Sequence, residues 1–340
     1  MKQNLVSRRA FSGMVVGGVA LGCAPVVRAQ VRTVNIAFYG TIPQPVTYLV
    51  ATGQLQKALQ GLATVTTMNV GAGPQILSGM ASGQIDLGQL GMPPMVTGFA
   101  NGLDISMVYM GRIQDVNEAL VVHPDSGIKT IVDLRGKTIG VPYNTEVHYA
   151  LLKTLQRNGM KPSDANILNV APNSTYAAFQ RKEIHATYIW SPILDQIKSE
   201  KAVVISSARD LRDAGEPLFE GFVAANQFKQ KNPDLVVAYL KEVERAHKLF
   251  RDRSPEVVSV LTKYLNLPAA VVESYVSVYE TVPVPEMVTD RWMGSPGASG
   301  AGVAKALGEV GDYLAATKQI KAAPASFSKY VDSSFASKVA

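Results

Sequence analysis

One order of elements occurs twice in this chain, and it limits the fold more than any single motif does. Val34-Asn35-Ile36-Ala37-Phe38 alternates as a short strand and runs into Tyr39-Gly40-Thr41-Ile42-Pro43. Val46, Leu49, Val50 and Leu55 then mark an apolar-periodic helix that closes near Gly61. Val65 to Val70 reads as the next strand, and Gly71-Ala72-Gly73-Pro74 as the turn into a helix carrying Ile76, Leu77 and Met80. Ile85 to Leu90 is a third strand, ending at Gly91-Met92-Pro93-Pro94. About a hundred residues later the order returns, with Lys137 to Tyr143 answering Asn35 to Tyr39 and Lys182 to Ile189 answering Gly83 to Leu90. The helix between them places Val147, Leu151 and Leu155 on one face and stops at Asn158-Gly159.

Strand–turn–helix units of this length predict an α/β fold with a parallel or mixed sheet covered by helices. Two runs of them predict two lobes, residues 30–117 with 226–340, and residues 118–225. The chain is expected to cross between lobes near Glu118 to Val122 and again near Glu220 to Ala225, making a hinge with a ligand cleft between the lobes. Beyond Asn226 the pattern is helical, from Leu235 to Phe250, after Ser254-Pro255, over Val271 to Tyr279, and in a last helix ending near Lys318. The segment from Tyr330-Val331 to Phe335 reads as a docked tail.

The formal charge of +6 invites a polyanion partner only until its distribution is seen. Residues 1–29 hold Lys2, Arg8, Arg9 and Arg28 and no acid, followed by an apolar stretch from Phe11 to Leu21 and a small-residue site at Val27-Arg28-Ala29. That is the order of a cleaved export leader. The apolar run is shorter than the roughly 20 residues a membrane span needs, and Ser7-Arg8-Arg9-Ala10-Phe11 resembles the twin-arginine export signal. Most of the basic excess therefore belongs to the leader, and no nucleic-acid partner is expected. Cys23, the single cysteine, also lies there; Ala20-Leu21-Gly22-Cys23 lacks the large apolar residue of a lipoprotein box three positions earlier. The mature chain then has no thiol for a disulfide, a nucleophile or a thiolate metal site.

Enzymatic motifs are absent. His123, His148, His185 and His247 have no metal-ligand spacing, Gly71-Ala72-Gly73-Pro74 lacks the last glycine of a dinucleotide fingerprint, and neither a P-loop nor G-x-S-x-G occurs. Neither metal nor cofactor is expected, and no catalytic residue is assigned. What remains is a set of loops at strand ends, each followed by a helix N-terminus with unpaired N–H groups and partial positive charge. Three are candidates: Tyr39 to Gln44 with Thr41 within it, Gly73 to Gln75, and Tyr143 to His148 with Asn144 and Thr145. Pointing together into a cleft, they predict binding of a small anionic ligand.

Longer strings carry a family resemblance. Ser82-Gly83-Gln84-Ile85-Asp86-Leu87-Gly88, Asn117 to Val122, Asp133 to Pro142, His148-Tyr149-Ala150-Leu151-Leu152 and Tyr188-Ile189-Trp190-Ser191-Pro192 resemble the periplasmic taurine- and alkanesulfonate-binding proteins of ABC importers. These belong to the wider nitrate/sulfonate/thiamine-precursor-type group. The resemblance implies a type II periplasmic-binding-protein fold, a monomer that works in the periplasm, is not an enzyme, and passes its ligand to a membrane permease and its ATPase. It implies that Thr145 and His148 face the anion, that Trp190 is an aromatic wall, and that Glu220 takes the place of a usual aspartate. Gln44 falls where a glutamate is common, and Met92-Pro93-Pro94 replaces two serines and a proline, which removes hydroxyl donors from the first lobe. An aromatic or other organic acid is the competing ligand. A pyrimidine-precursor synthase or deaminase on the same scaffold would need a reactive histidine or cysteine centre, and a signalling accessory is a further alternative.

Overall fold

Residues 32–298 and 301–339 are described by the computed structural model. The leader expected over residues 1–29 lies outside the described residues. Strands β1 (Arg32–Phe38), β2 (Ala63–Asn69), β3 (Leu87–Gly91) and β4 (Ile105–Ile113) open a first sheet. β5 (Glu118–Val122), β6 (Thr138–Val141), β7 (Asn166–Asn169), β8 (Ala186–Trp190) and β9 (Val203–Ser207) make a second, and β10 (Phe219–Ala225) and β11 (Glu280–Thr281) return to the first. The spatial orders are β11-β4-β10-β3-β1-β2 and β7-β6-β8-β5-β9.

Both sheets are mixed in the same way. β1 pairs in parallel with β2 and β3, as β6 does with β7 and β8. An antiparallel strand lies beside each parallel set: β10 pairs antiparallel with β3 and β4, and β5 with β8 and β9; in the first sheet the short β11 also pairs antiparallel with β4. The strand Phe219–Ala225, read from sequence as the end of the second lobe, hydrogen-bonds between two strands of the first sheet instead. Its apolar character comes from burial on both faces there, which the sequence pattern of a short extended crossing does not distinguish.

Helices follow the strands as the turn signals require. After β1 come α1 (Pro45–Ala51) and α2 (Gln54–Ala58), after β2 comes α3 (Gly73–Ala81), and after β3 comes α4 (Met92–Ala100). α5 (Glu146–Arg157), α6 (Pro172–Gln180), α7 (Ile193–Ser199) and α8 (Ala208–Asp213) take the equivalent places around the second sheet. α9 (Asn226–Lys231), α10 (Pro233–Arg251), α11 (Pro255–Leu265), α12 (Ala269–Ser277), α13 (Val284–Met287) and α14 (Gly302–Ala316) complete the helical part. The helix expected from Val46 to Leu55 is two, because Gly53 sits at φ +65° and ends the first turn run.

All nine residues of β4 are buried, Arg112 among them, because helices and the tail cover both faces. Tyr330 stacks on Phe99 with ring centroids 4.4 Å apart, and Val331 bridges Met107 in parallel, so the tail docks as expected.

Candidate functional site

β1 lies between β3 and β2, and β6 lies between β8 and β7. In each sheet the parallel connections therefore diverge to opposite sides of one strand. A crevice opens beyond the carboxyl ends at such a switch point, which is where open α/β sheets bind ligands. Tyr39 to Thr41 leave β1, Gly91 ends β3, Pro142 to Thr145 leave β6, and Trp190 ends β8.

These ends border one cleft with two compartments. The outer one, of about 770 Å³, is lined by Thr41, Gln75, Tyr143, Thr145, Trp190 and the Tyr264–Leu267 corner between α11 and α12, among others. The entry turns of α3, α5, α6 and α7 also border it, through Ala72, Thr145, Pro172 and Ile193. Four helix N-termini give this compartment unpaired N–H donors and a positive partial charge. Thr145 caps α5: its Oγ1 accepts from His148 N at 3.4 Å and donates to Pro142 O at 2.5 Å. Gln75 closes the turn before α3, its Oε1 accepting from Gly71 N at 2.6 Å and Ala72 N at 3.3 Å.

The inner compartment, about 40 Å³, has the opposite character. Tyr39, Arg112, Glu118, Glu146 and Glu220 line it, with Thr145 and Trp190 shared with the outer part. Arg112 reaches Glu118 at 3.1 Å and Glu220 at 3.5 Å, and its guanidinium lies over the Tyr275 ring at 5.0 Å. Gln89 Nε2 donates to Glu220, Gln114 Nε2 donates to Glu146, and Tyr39 Oη donates to Gln89 O at 2.9 Å. Burial pushes the Glu118 carboxyl up to about 7, against the pull of Arg112. Glu146 is raised well above the carboxylate range, first by burial and then by Glu118 and Glu220. Gly91 passes so close that a Cβ there would sit 3.0 Å from the Glu146 carboxyl, so any larger residue would make that side chain shift.

Of the residues expected to touch ligand, Tyr39, Thr41, Gln75, Thr145, Trp190 and Glu220 line this cleft. Gln44, Met92, Asn144 and His148 are not among the residues lining either compartment. Met92 lines a separate cavity with Tyr149, Lys153 and Trp292, and only its backbone N–H approaches Glu146, at 3.5 Å. Asn144, at φ +54°, accepts from Thr97 Oγ1 at 2.9 Å. Gln44 is buried with its Nε2 unpartnered. His148 stacks on Tyr143 at 4.4 Å, and burial pushes it down to about 4, so at neutral pH it brings no positive charge toward an anion. Sequence reasoning missed Arg112, Glu118 and Glu146; for Arg112 and Glu118 the available signal was a charged residue in an apolar strand, which is costly to bury without a partner or a ligand, while Glu146 reads from sequence as an ordinary first-turn acid of a helix.

Paired sheets with divergent parallel connections and one cleft at their carboxyl ends define the periplasmic-binding-protein fold. The periplasmic aliphatic sulphonate-binding protein SsuA from Escherichia coli superposes with a TM-score of 0.70 at 22% identity, over 89% of this chain and 98% of that one. A match to the NMT1/THI5-like family runs over residues 58–255, and the chain belongs to that family. The taurine-binding periplasmic protein of Escherichia coli (strain K12) is 27% identical over 314 residues, 91% of this chain and 94% of that protein. A putative aliphatic sulfonates-binding protein of the same strain is 30% identical over 205 residues, covering 60% of this chain and 63% of its own.

Proposed function

We propose that the chain is the solute receptor of an ABC importer and captures taurine or a related sulfonate in this cleft. The observation that carries the reading is the reversal of polarity along the cleft, with helix N-termini around the outer compartment and carboxylates around the inner one. A zwitterion fits that gradient with its anion outward and its ammonium inward. The names of the relatives support the sulfonate, and the absence of a histidine or cysteine centre among the cleft residues supports binding without turnover. In this reading residues 1–29 are an export leader of the twin-arginine type, cleaved on delivery to the periplasm. The mature monomer has two lobes, one per sheet, that close on the ligand and present it to the permease and its ATPase.

The outer compartment favours a ligand with more body than taurine. Its volume and its Trp190, Tyr143, Leu265 and Leu267 walls suit an alkyl or aromatic substituent between the two polar ends. A thermal-shift screen of the mature protein against taurine, longer and aromatic sulfonates, aromatic carboxylates and nitrate tests the assignment. A sulfonate is expected to raise the melting midpoint in a concentration-dependent way, and no shift with any sulfonate overturns the reading.

A further inference from the structure

The inner compartment holds more acid than its cation balances. Glu118 comes from β5, Glu146 from the first turn of α5, and Glu220 from β10, around a space of about 40 Å³. Arg112 of β4 is the one guanidinium lining it, and its contacts go to Glu118 and Glu220. Glu146 receives only amide donors, from Gln114 and the Met92 backbone. The other titratable groups facing the trio are Tyr39 after β1, which donates to Gln89 O, Tyr188 of β8 beside Glu118, and Tyr275 and Tyr279 behind Arg112. α4 contributes only a backbone N–H. A second observation is unfilled hydrogen-bonding capacity: Glu118 is 3% exposed and its Oε2 has no hydrogen-bond partner, the buried Oε1 atoms of Gln89 and Gln114 have none either, and neither do the donors Arg112 Nε, Tyr275 Oη and Tyr279 Oη behind them.

We propose that capture of a cationic head in this compartment expels a proton from the Glu118–Glu146–Glu220 trio to solvent, so that the trio ranks an ammonium against its neutral isosteres according to pH. The inference rests on the orientation proposed above, ammonium inward. Three carboxylates around so small a space with one guanidinium do not all ionise in the empty site, because each charge opposes the next and burial opposes them all. The raised titration of Glu118 and Glu146 agrees with that. An ammonium brings one positive charge and three N–H donors to the orphaned acceptors. One cation enters and one proton leaves, so the net charge of the floor is unchanged while one more carboxyl becomes a full acceptor. A hydroxyl in the same place brings no charge, and the trio keeps its proton.

Two sulfonates that differ only in this group make the test. Taurine and 2-hydroxyethanesulfonate are titrated calorimetrically into the mature protein at about pH 6, in buffers of different ionisation enthalpy. Taurine is expected to release about one proton per molecule bound, and the hydroxyl analogue none. Taurine affinity should then rise about tenfold per pH unit below the titration of Glu118 and Glu146, while that of the analogue stays flat. In Glu146→Gln, with native circular dichroism, the release falls by half or more and the pH dependence of the preference for taurine shrinks in the same proportion. Taurine binding without proton release, or equal release by both ligands, overturns the proposal; the native protein suffices for both outcomes. Titrating 3-aminopropanoate alongside separates the two readings. Its binding with proton release when no sulfonate binds removes the sulfonate assignment and leaves this inference standing, whereas sulfonate binding without release does the reverse.

Discussion

Arg112→Met isolates the role of the single guanidinium among the floor carboxylates, because methionine keeps much of the length and stacking surface while removing charge and donors. Arg112 faces Glu118 at 3.1 Å and Glu220 at 3.5 Å. At an effective dielectric near 20, each contact amounts to about 5 kcal/mol of gross attraction. Desolvation of the ions cancels much of it, and removing one member of such a buried group costs about 3–5 kcal/mol net because the remaining charges stay buried. For a chain of this size that corresponds to a melting midpoint lower by about 5–8 °C. The pH dependence follows from the sign of the shift. Glu118 titrates near 7 in the folded protein, above its ordinary value, so the stability its neutral form provides is full at low pH and is lost as pH rises toward 7. Without Arg112 the folded value climbs further. The deficit of Arg112→Met relative to the native protein is therefore largest above about pH 7 and shrinks toward about pH 5, where the Glu118 carboxyl is protonated. Urea denaturation followed by tryptophan fluorescence at those two pH values reads both quantities, and adding Glu118→Gln should recover more than half of the loss at the higher pH. A variant as stable as the native protein above pH 7, or a deficit that persists unchanged at pH 5, refutes the reasoning.

Trp190 borders both compartments, so Trp190→Ala should weaken binding of the ligand found by thermal shift by about 1–3 kcal/mol, read calorimetrically, with secondary structure unchanged. His148 titrates near 4 when folded, below its ordinary 6.5, so the unfolded chain takes the proton first and stability is lost as pH falls between those values. At about pH 5 the loss is about 2 kcal/mol, and His148→Phe, which keeps a ring against Tyr143, should remove that component of the urea profile. Thr145→Ala deletes the α5 cap and should cost about 1 kcal/mol in urea denaturation, together with weaker ligand binding because Thr145 borders both compartments.

The loops around this cleft were legible because the signals that make them are local. Phe38 to Pro43, Gly71 to Pro74 and Val141 to His148 each announce a strand end and a helix start within a few residues, and all three reach the cleft. Which side chain of such a turn faces the ligand is a different matter. Successive residues at a helix start point about 100° apart, so a position at the mouth fixes its backbone amide more firmly than its side chain. Thr145 faces in, while His148 three residues later turns back onto Tyr143, and Met92 at the start of α4 fills a cavity on another side. The acidic floor depends on pairings between segments far apart in sequence. Glu118 stands opposite Trp190 in the β5–β8 ladder, and Glu220 is delivered beside Arg112 by the antiparallel β10–β4 pairing, with a bulge between Phe219 and Gly221. A one-residue change in either register would send these carboxylates to the opposite face of their sheet. From sequence Glu118 reads only as the start of a crossing, and Glu220 as a single acid facing the ligand, with nothing to show that the two share one cation. A carboxylate inside an apolar strand demands a partner, and here Glu118 and Glu220 share a single guanidinium while Glu146 has only amide donors. That shortage of cation is what ties the register of two sheets to the charge of the ligand they enclose.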